Sequence, residues 1–69
     1  MPHIAITMIP GRNDEQKSAL AQKVQDFIAE ELKLDKKVVS VSVEDIQKED
    51  WAESMKKFTD DVLFVKPGV

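Results

Sequence analysis

Cysteine is absent from this 69-residue chain, and histidine occurs once. Without cysteine neither a disulfide nor a thiolate metal site can form, and a lone histidine excludes a histidine-rich metal site. No apolar run approaches the ~18 residues of a membrane span. No basic-then-apolar leader precedes the first strand-like run, so the expected compartment is the cytoplasm. Basic residues are outnumbered, 10 Lys and Arg against 13 Asp and Glu, giving a net charge of -3. A general nucleic-acid binder would carry a basic face, which this balance argues against. There is no internal repeat, linker, glycine-rich phosphate loop or Ser-His-Asp set.

The length implies one domain, residues 1–69. A core this small contributes only a few kcal/mol of net stability. With disulfides and thiolate or histidine-rich metal sites excluded, a partner subunit is the expected remedy.

What is present reads clearly. Residues 3–9 alternate, with Ile4, Ile6 and Met8 on one side and His3, Ala5 and Thr7 on the other, as in a strand. Pro10-Gly11 breaks it. Asn13 then offers a helix N-cap with Gln16 three residues later, as in a capping box. Asp14 and Glu15 suit the first turn. The helix is expected over residues 14–32, with Leu20, Ala21, Val24, Phe27, Ile28 and Leu32 as its apolar stripe. Lys17, Gln22, Lys23, Gln25, Asp26 and Glu30 fall on its polar face. A polar connector leads to a valine-rich second strand, residues 38–43, with Val39, Val41 and Val43 on one side and Ser40 and Ser42 on the other.

Strand, helix and strand within this length make a βαβ unit with parallel strands and a right-handed crossover. A short second helix follows, with Trp51, Met55 and Phe58 on one side. The apolar tail "VLFVKPGV" fits either more helix or a short strand. Two parallel strands and one helix are marginal alone. The small, mildly polar second face of the sheet, with Ala5, Thr7, Ser40 and Ser42, is expected to meet another subunit or the C-terminal segment.

Four residues could carry chemistry. If Met1 is removed, Pro2 becomes a secondary amine held in a ring, a competent general base. An α-amino group titrates at about 8, and burial or a nearby cation lowers that toward neutrality, where proton transfer needs it. The bland alternative is a proline tolerated at the start of a strand. Arg12, in the turn before the helix, suits a two-pronged grip on a carboxylate, or is a solvated turn residue. His3 could orient a ligand or be structural. Trp51 could wall a planar substrate or belong to a core or interface.

Taken in order, Met-Pro at the start, the alternating strand, "GRNDEQK" at the helix start, the valine-rich strand and the aromatic after a short loop resemble the tautomerase superfamily. The likeness is to the 4-oxalocrotonate tautomerase group and covers nearly the whole chain. "MPHI", Trp51 and the closing "KPG" are similar to its dimer-forming branch. The resemblance implies an α/β fold: a βαβ unit with a short C-terminal helix, pairing into a four-stranded sheet in a homodimer. It implies Pro2 as the base, Arg12 as the carboxylate ligand and Trp51 as the active-site aromatic. Hexameric members carry a second substrate-binding arginine in the second strand, and that position is Ser40 here.

The function expected is a cofactor-independent tautomerase that interconverts enol and keto forms of a 2-oxo acid. Pro2 is its catalytic residue; Arg12, Trp51, His3 and Ser40 bind substrate. The small molecule is expected to be monocarboxylic with an apolar or aryl tail. Two rivals are a non-catalytic dimeric interaction module on the same scaffold, and a hydratase or dehalogenase of the same superfamily.

Overall fold

A computed structural model describes residues 1–68. Strand β1 spans His3–Met8, helix α1 Asp14–Leu32, strand β2 Ser40–Asp45 and helix α2 Trp51–Met55. Short 3-10 turns at Lys36–Val38 and Lys48–Asp50 precede β2 and α2. The two strands are parallel and adjacent, in a register that pairs His3 with Ser40 and Met8 with Asp45. The architecture is the βαβ unit read from the sequence, with a short C-terminal helix.

Helix α1 starts where the capping chemistry places it. The Asn13 side chain accepts from the Gln16 amide at 2.8 Å, and the Gln16 side chain accepts from the Asn13 amide at 3.0 Å. Two otherwise orphaned N–H groups are thereby satisfied. Gly11 just before it has φ +143, a conformation that side-chain-bearing residues rarely adopt. At the other end Lys33 takes a left-handed conformation, φ 58, and the Leu34 amide returns to the Ala29 carbonyl at 2.8 Å.

Ile4, Ile6, Val41 and Val43 are partly covered, whereas His3, Ala5, Ser40 and Ser42 are exposed. The alternation thus points as expected, with one sheet face under α1 and the other open. Helix α1 contributes Ala21, Val24, Ile28 and the buried Ala29 to the covered side. Phe27 and Leu32 flank the stripe and stay 64% and 55% exposed. Gln25 departs from the sequence expectation. It faces β2, and its amide donates to the carbonyls of Lys36 at 2.9 Å and Val39 at 3.0 Å. Lys17 also leaves the polar face: it pairs with Asp45 at 2.8 Å, joining the first turns of α1 to the end of β2.

These contacts explain the boundary of β2. Val38 and Val39 were expected in the strand, but their segment is held by the Asp35 cap and the Gln25 amide. Pairing with β1 begins only at Ser40, whose amide donates to the Pro2 carbonyl at 3.1 Å. β1 likewise ends at Met8 rather than residue 9. In the tail, residues 60–62 form a turn and residues 64–65 a bend, neither helix nor strand.

The core is slight. Ala29 and Val39 are the buried hydrophobic residues among those described, while Phe64 and Val65 are 93% and 89% exposed. The chain exposes 5770 Å²; a compact monomer of 7.8 kDa would expose about 4,400 Å². Its radius of gyration is 13.4 Å, against about 11 Å for a compact 69-residue domain. Helix α2 packs chiefly on the turn before it rather than on the sheet. The C-terminal third is therefore an arm carrying apolar side chains away from the βαβ unit.

Candidate active site

Two ends of the sheet carry the chemistry-bearing residues. At the end where both strands begin lie Pro2, His3 and Ser40. Pro2 is half-buried, and Met1, still attached to it, donates from its amino group to the Val38 carbonyl at 2.6 Å. While Met1 stays on, the Pro2 nitrogen is an amide without basicity. The Pro2 carbonyl is tied to Ser40 as described, so β2 fixes the backbone at the point where a processed terminus would begin.

Beside it, on the open face, His3 bridges two serines. Its Nδ1 lies 2.7 Å from Ser40 Oγ and its Nε2 lies 3.0 Å from Ser42 Oγ. The parallel register makes this possible: His3 is paired with Ser40, and Ser42 lies two residues on along the same face. In the sequence Ser42 reads only as a small polar residue of that face. The signal that could have identified it is the Ser-x-Ser spacing opposite a lone histidine on the neighbouring strand.

Arg12 lies at the other end. It is exposed in the turn between β1 and α1, past the C-terminal end of β1. The strand from Pro2 to Met8 alone spans roughly 20 Å, farther than an arginine side chain reaches. One chain therefore does not bring Pro2 and Arg12 together. Trp51 opens α2, half-buried, beyond the C-terminal end of β2. Lys66, another cation of the arm, pairs with Asp60 at 3.7 Å.

An open groove of about 210 Å³ runs between α1 and β2, lined by Ala21, Gln25, Val39, Ser40 and Val41 among others. Pro2, Arg12 and Trp51 do not line it. Among the described residues no cluster of three or more His, Asp or Glu side chains is arranged to hold a metal. Nor is any helix among the described residues long and apolar enough to cross a membrane.

The sequence profile of the tautomerase enzyme family matches residues 2–60, beginning at Pro2 and passing through Trp51. A probable tautomerase of Listeria innocua is 37% identical over 51 residues, 74% of this chain and 84% of the relative. The 2-hydroxymuconate tautomerase of Bacillus subtilis is 32% identical over 60 residues, 87% of this chain and 97% of that protein. A probable tautomerase of Xylella fastidiosa is 36% identical over 55 residues, 80% of this chain and 67% of the relative.

Proposed function

This chain belongs to the tautomerase family, and from that premise we propose that it interconverts the enol and keto forms of a 2-oxo acid with Pro2, freed of Met1, as general base and acid. The coarse activity, an isomerase acting on a small molecule, follows from membership. The choice of Pro2 is supported by the family match beginning at that residue and by its half-buried, tethered position. Burial disfavours an ammonium, which moves a free proline amine toward the neutral range where it can take a proton. The amine would remove the enol hydroxyl proton and return a proton to the neighbouring carbon. The proton is conserved overall, so the reaction needs no external oxidant or reductant.

Arg12 supplies the carboxylate grip, and in this reading it comes from a second copy of the chain. The single observation that carries this step is the separation of Pro2 from Arg12 along β1. A two-fold dimer in which two such sheets pair antiparallel would set the β1 start of one copy near the β1 end of the other. Four strands would then form one sheet. The surplus exposed area, roughly 1,400 Å², is of the order that a partner would cover. Trp51, which like Arg12 lies beyond the C-terminal ends of the strands, would come from the second copy as well and wall the apolar part of the substrate.

The test is the intact mass of the protein isolated from its own cells, followed by turnover of a 2-oxo acid enol. Loss of the Met1 mass and a steep fall in turnover for Pro2→Ala, with the fold retained, are expected. Retained Met1, or unchanged turnover in Pro2→Ala, would remove Pro2 from the mechanism.

A further inference from the structure

We propose that His3 is a positioning residue that turns the Ser40 hydroxyl into a hydrogen-bond donor for an oxygen of the substrate beside Pro2. The proposal rests on the tautomerase reading above and extends it to the substrate's anchoring.

The argument is a proton count. A neutral imidazole carries one N–H donor and one bare nitrogen acceptor, and a serine hydroxyl carries one proton and two lone pairs. Both His3 nitrogens lie at hydrogen-bond distance from hydroxyls. The two serines therefore cannot hold the same role. The hydroxyl facing the bare nitrogen gives up its only proton to the ring. The hydroxyl facing the N–H accepts there and keeps its proton for something outside the cluster.

Ser40 is the serine next to Pro2, since its own amide is bonded to the Pro2 carbonyl. The Cα atoms of His3 and Pro2 are consecutive, about 3.8 Å apart or less. A carboxylate oxygen at this end of the sheet offers only lone pairs. It can pair with Ser40 only if the proton of the ring sits on Nδ1. Nδ1–H then donates to Ser40 Oγ, Ser40 O–H donates to the substrate, and Ser42 donates to Nε2. Substrate binding selects this tautomer. The opposite tautomer presents Ser40 as an acceptor and repels an anionic oxygen. His3, Ser40 and Ser42 all lie on the open sheet face, so the donor is accessible in the isolated chain.

The experiment uses the full chain with Met1 removed and has two arms. His3 is the sole histidine, so a side-chain nitrogen-15 spectrum reports one imidazole. Phenylglyoxylate, an aryl 2-oxo acid that cannot enolise, serves as the probe. Its addition should move the wild-type ring to the Nδ1–H tautomer and leave the ring of Ser40→Ala unmoved. In the kinetic arm, His3→Phe should raise KM for the enol of phenylpyruvate about tenfold, as loss of one donor to a charged group predicts, with little change in kcat. His3→Asn, which keeps an N–H near the Nδ1 position, should recover most of the loss. Ser40→Ala should match His3→Phe, and the double variant should be no worse than either, because both remove one interaction.

An unresponsive wild-type imidazole, an unchanged KM in His3→Phe, or multiplied losses in the double variant would overturn the proposal. A wild-type protein without any enol turnover whose imidazole still responds to phenylglyoxylate would count against the tautomerase reading at Pro2 and for the His3 assignment.

Discussion

Pro2 and Ser40 are joined across the parallel sheet by a 3.1 Å hydrogen bond from the Ser40 amide to the Pro2 carbonyl. The bond fixes the residue proposed as base to the start of both strands. Arg12, proposed to hold the carboxylate, lies past the opposite end of β1. A catalytic site containing both must then be shared between chains.

Subunit mixing measures that sharing. Pro2→Ala and Arg12→Ala should each be nearly inactive alone. After unfolding and refolding together, half of the dimers are mixed, and each mixed dimer rebuilds one intact site from two. Activity should return to about a quarter of the wild-type level. A site formed within one chain would give no recovery, and that result would remove the shared-site reading.

Assembly should also show in stability. Few side chains are buried in the isolated chain, and Phe64, Val65 and Phe27 are largely exposed. If folding and association are one process, the melting temperature rises with protein concentration. Differential scanning calorimetry across a hundredfold concentration range checks this. A constant Tm, together with a folded monomer in sedimentation at micromolar concentration, would refute the obligate dimer.

Lys33 offers a local stability test away from the proposed site. It ends α1 in a left-handed conformation with φ 58. For a residue with a Cβ that conformation costs roughly 1 kcal/mol, a cost glycine avoids. Its amide, not its side chain, makes the capping bonds to Ala29 and Glu30. Lys33→Gly should therefore raise Tm by about 4–8 °C at fixed protein concentration. A lowered Tm would mean that the lysine side chain contributes more than its backbone conformation costs.

The local code of this fold was legible because it is written in short-range chemistry. Asn13 and Gln16 mark the start of α1 through a reciprocal bond between near neighbours, and the alternation of β1 and β2 follows from one covered face. Gln25 and Lys17 depart from the sequence expectation for the converse reason. A glutamine and a lysine on a helix look solvent-facing until a distant partner is known. Here the partners are the carbonyls of Lys36 and Val39 and the carboxylate of Asp45. The start of β2 shifted with them, since a side chain from α1 took the Val39 carbonyl. At the candidate site, Pro2, Arg12, His3 and Trp51 could be singled out by residue type and position. Their distribution over both ends of the sheet could not, because it depends on the parallel register. The His3–Ser40–Ser42 cluster needed that register as well.

Substrate choice gives the last prediction. The resemblance to the hexameric tautomerases places a second arginine at the position of Ser40, suited to a substrate with two carboxylates. Serine donates a neutral hydrogen bond and brings no charge, and here its hydroxyl is also engaged by His3 Nδ1. A second carboxylate would be desolvated without a cation, which costs on the order of 2–5 kcal/mol. At 1.4 kcal/mol per factor of ten, even the lower figure corresponds to about thirtyfold. Trp51, in the proposed reading, would add an aromatic wall. The enol of phenylpyruvate should therefore be turned over with a kcat/KM at least about thirtyfold above that for 2-hydroxymuconate. The Bacillus subtilis relative, named for the latter substrate, provides the control, and both proteins should be assayed with Met1 removed. A ratio favouring 2-hydroxymuconate in this chain would reject the argument and direct attention to Lys66. That lysine pairs with Asp60 in the arm, and substitution by Ala would then reveal whether it leaves Asp60 to meet the second carboxylate.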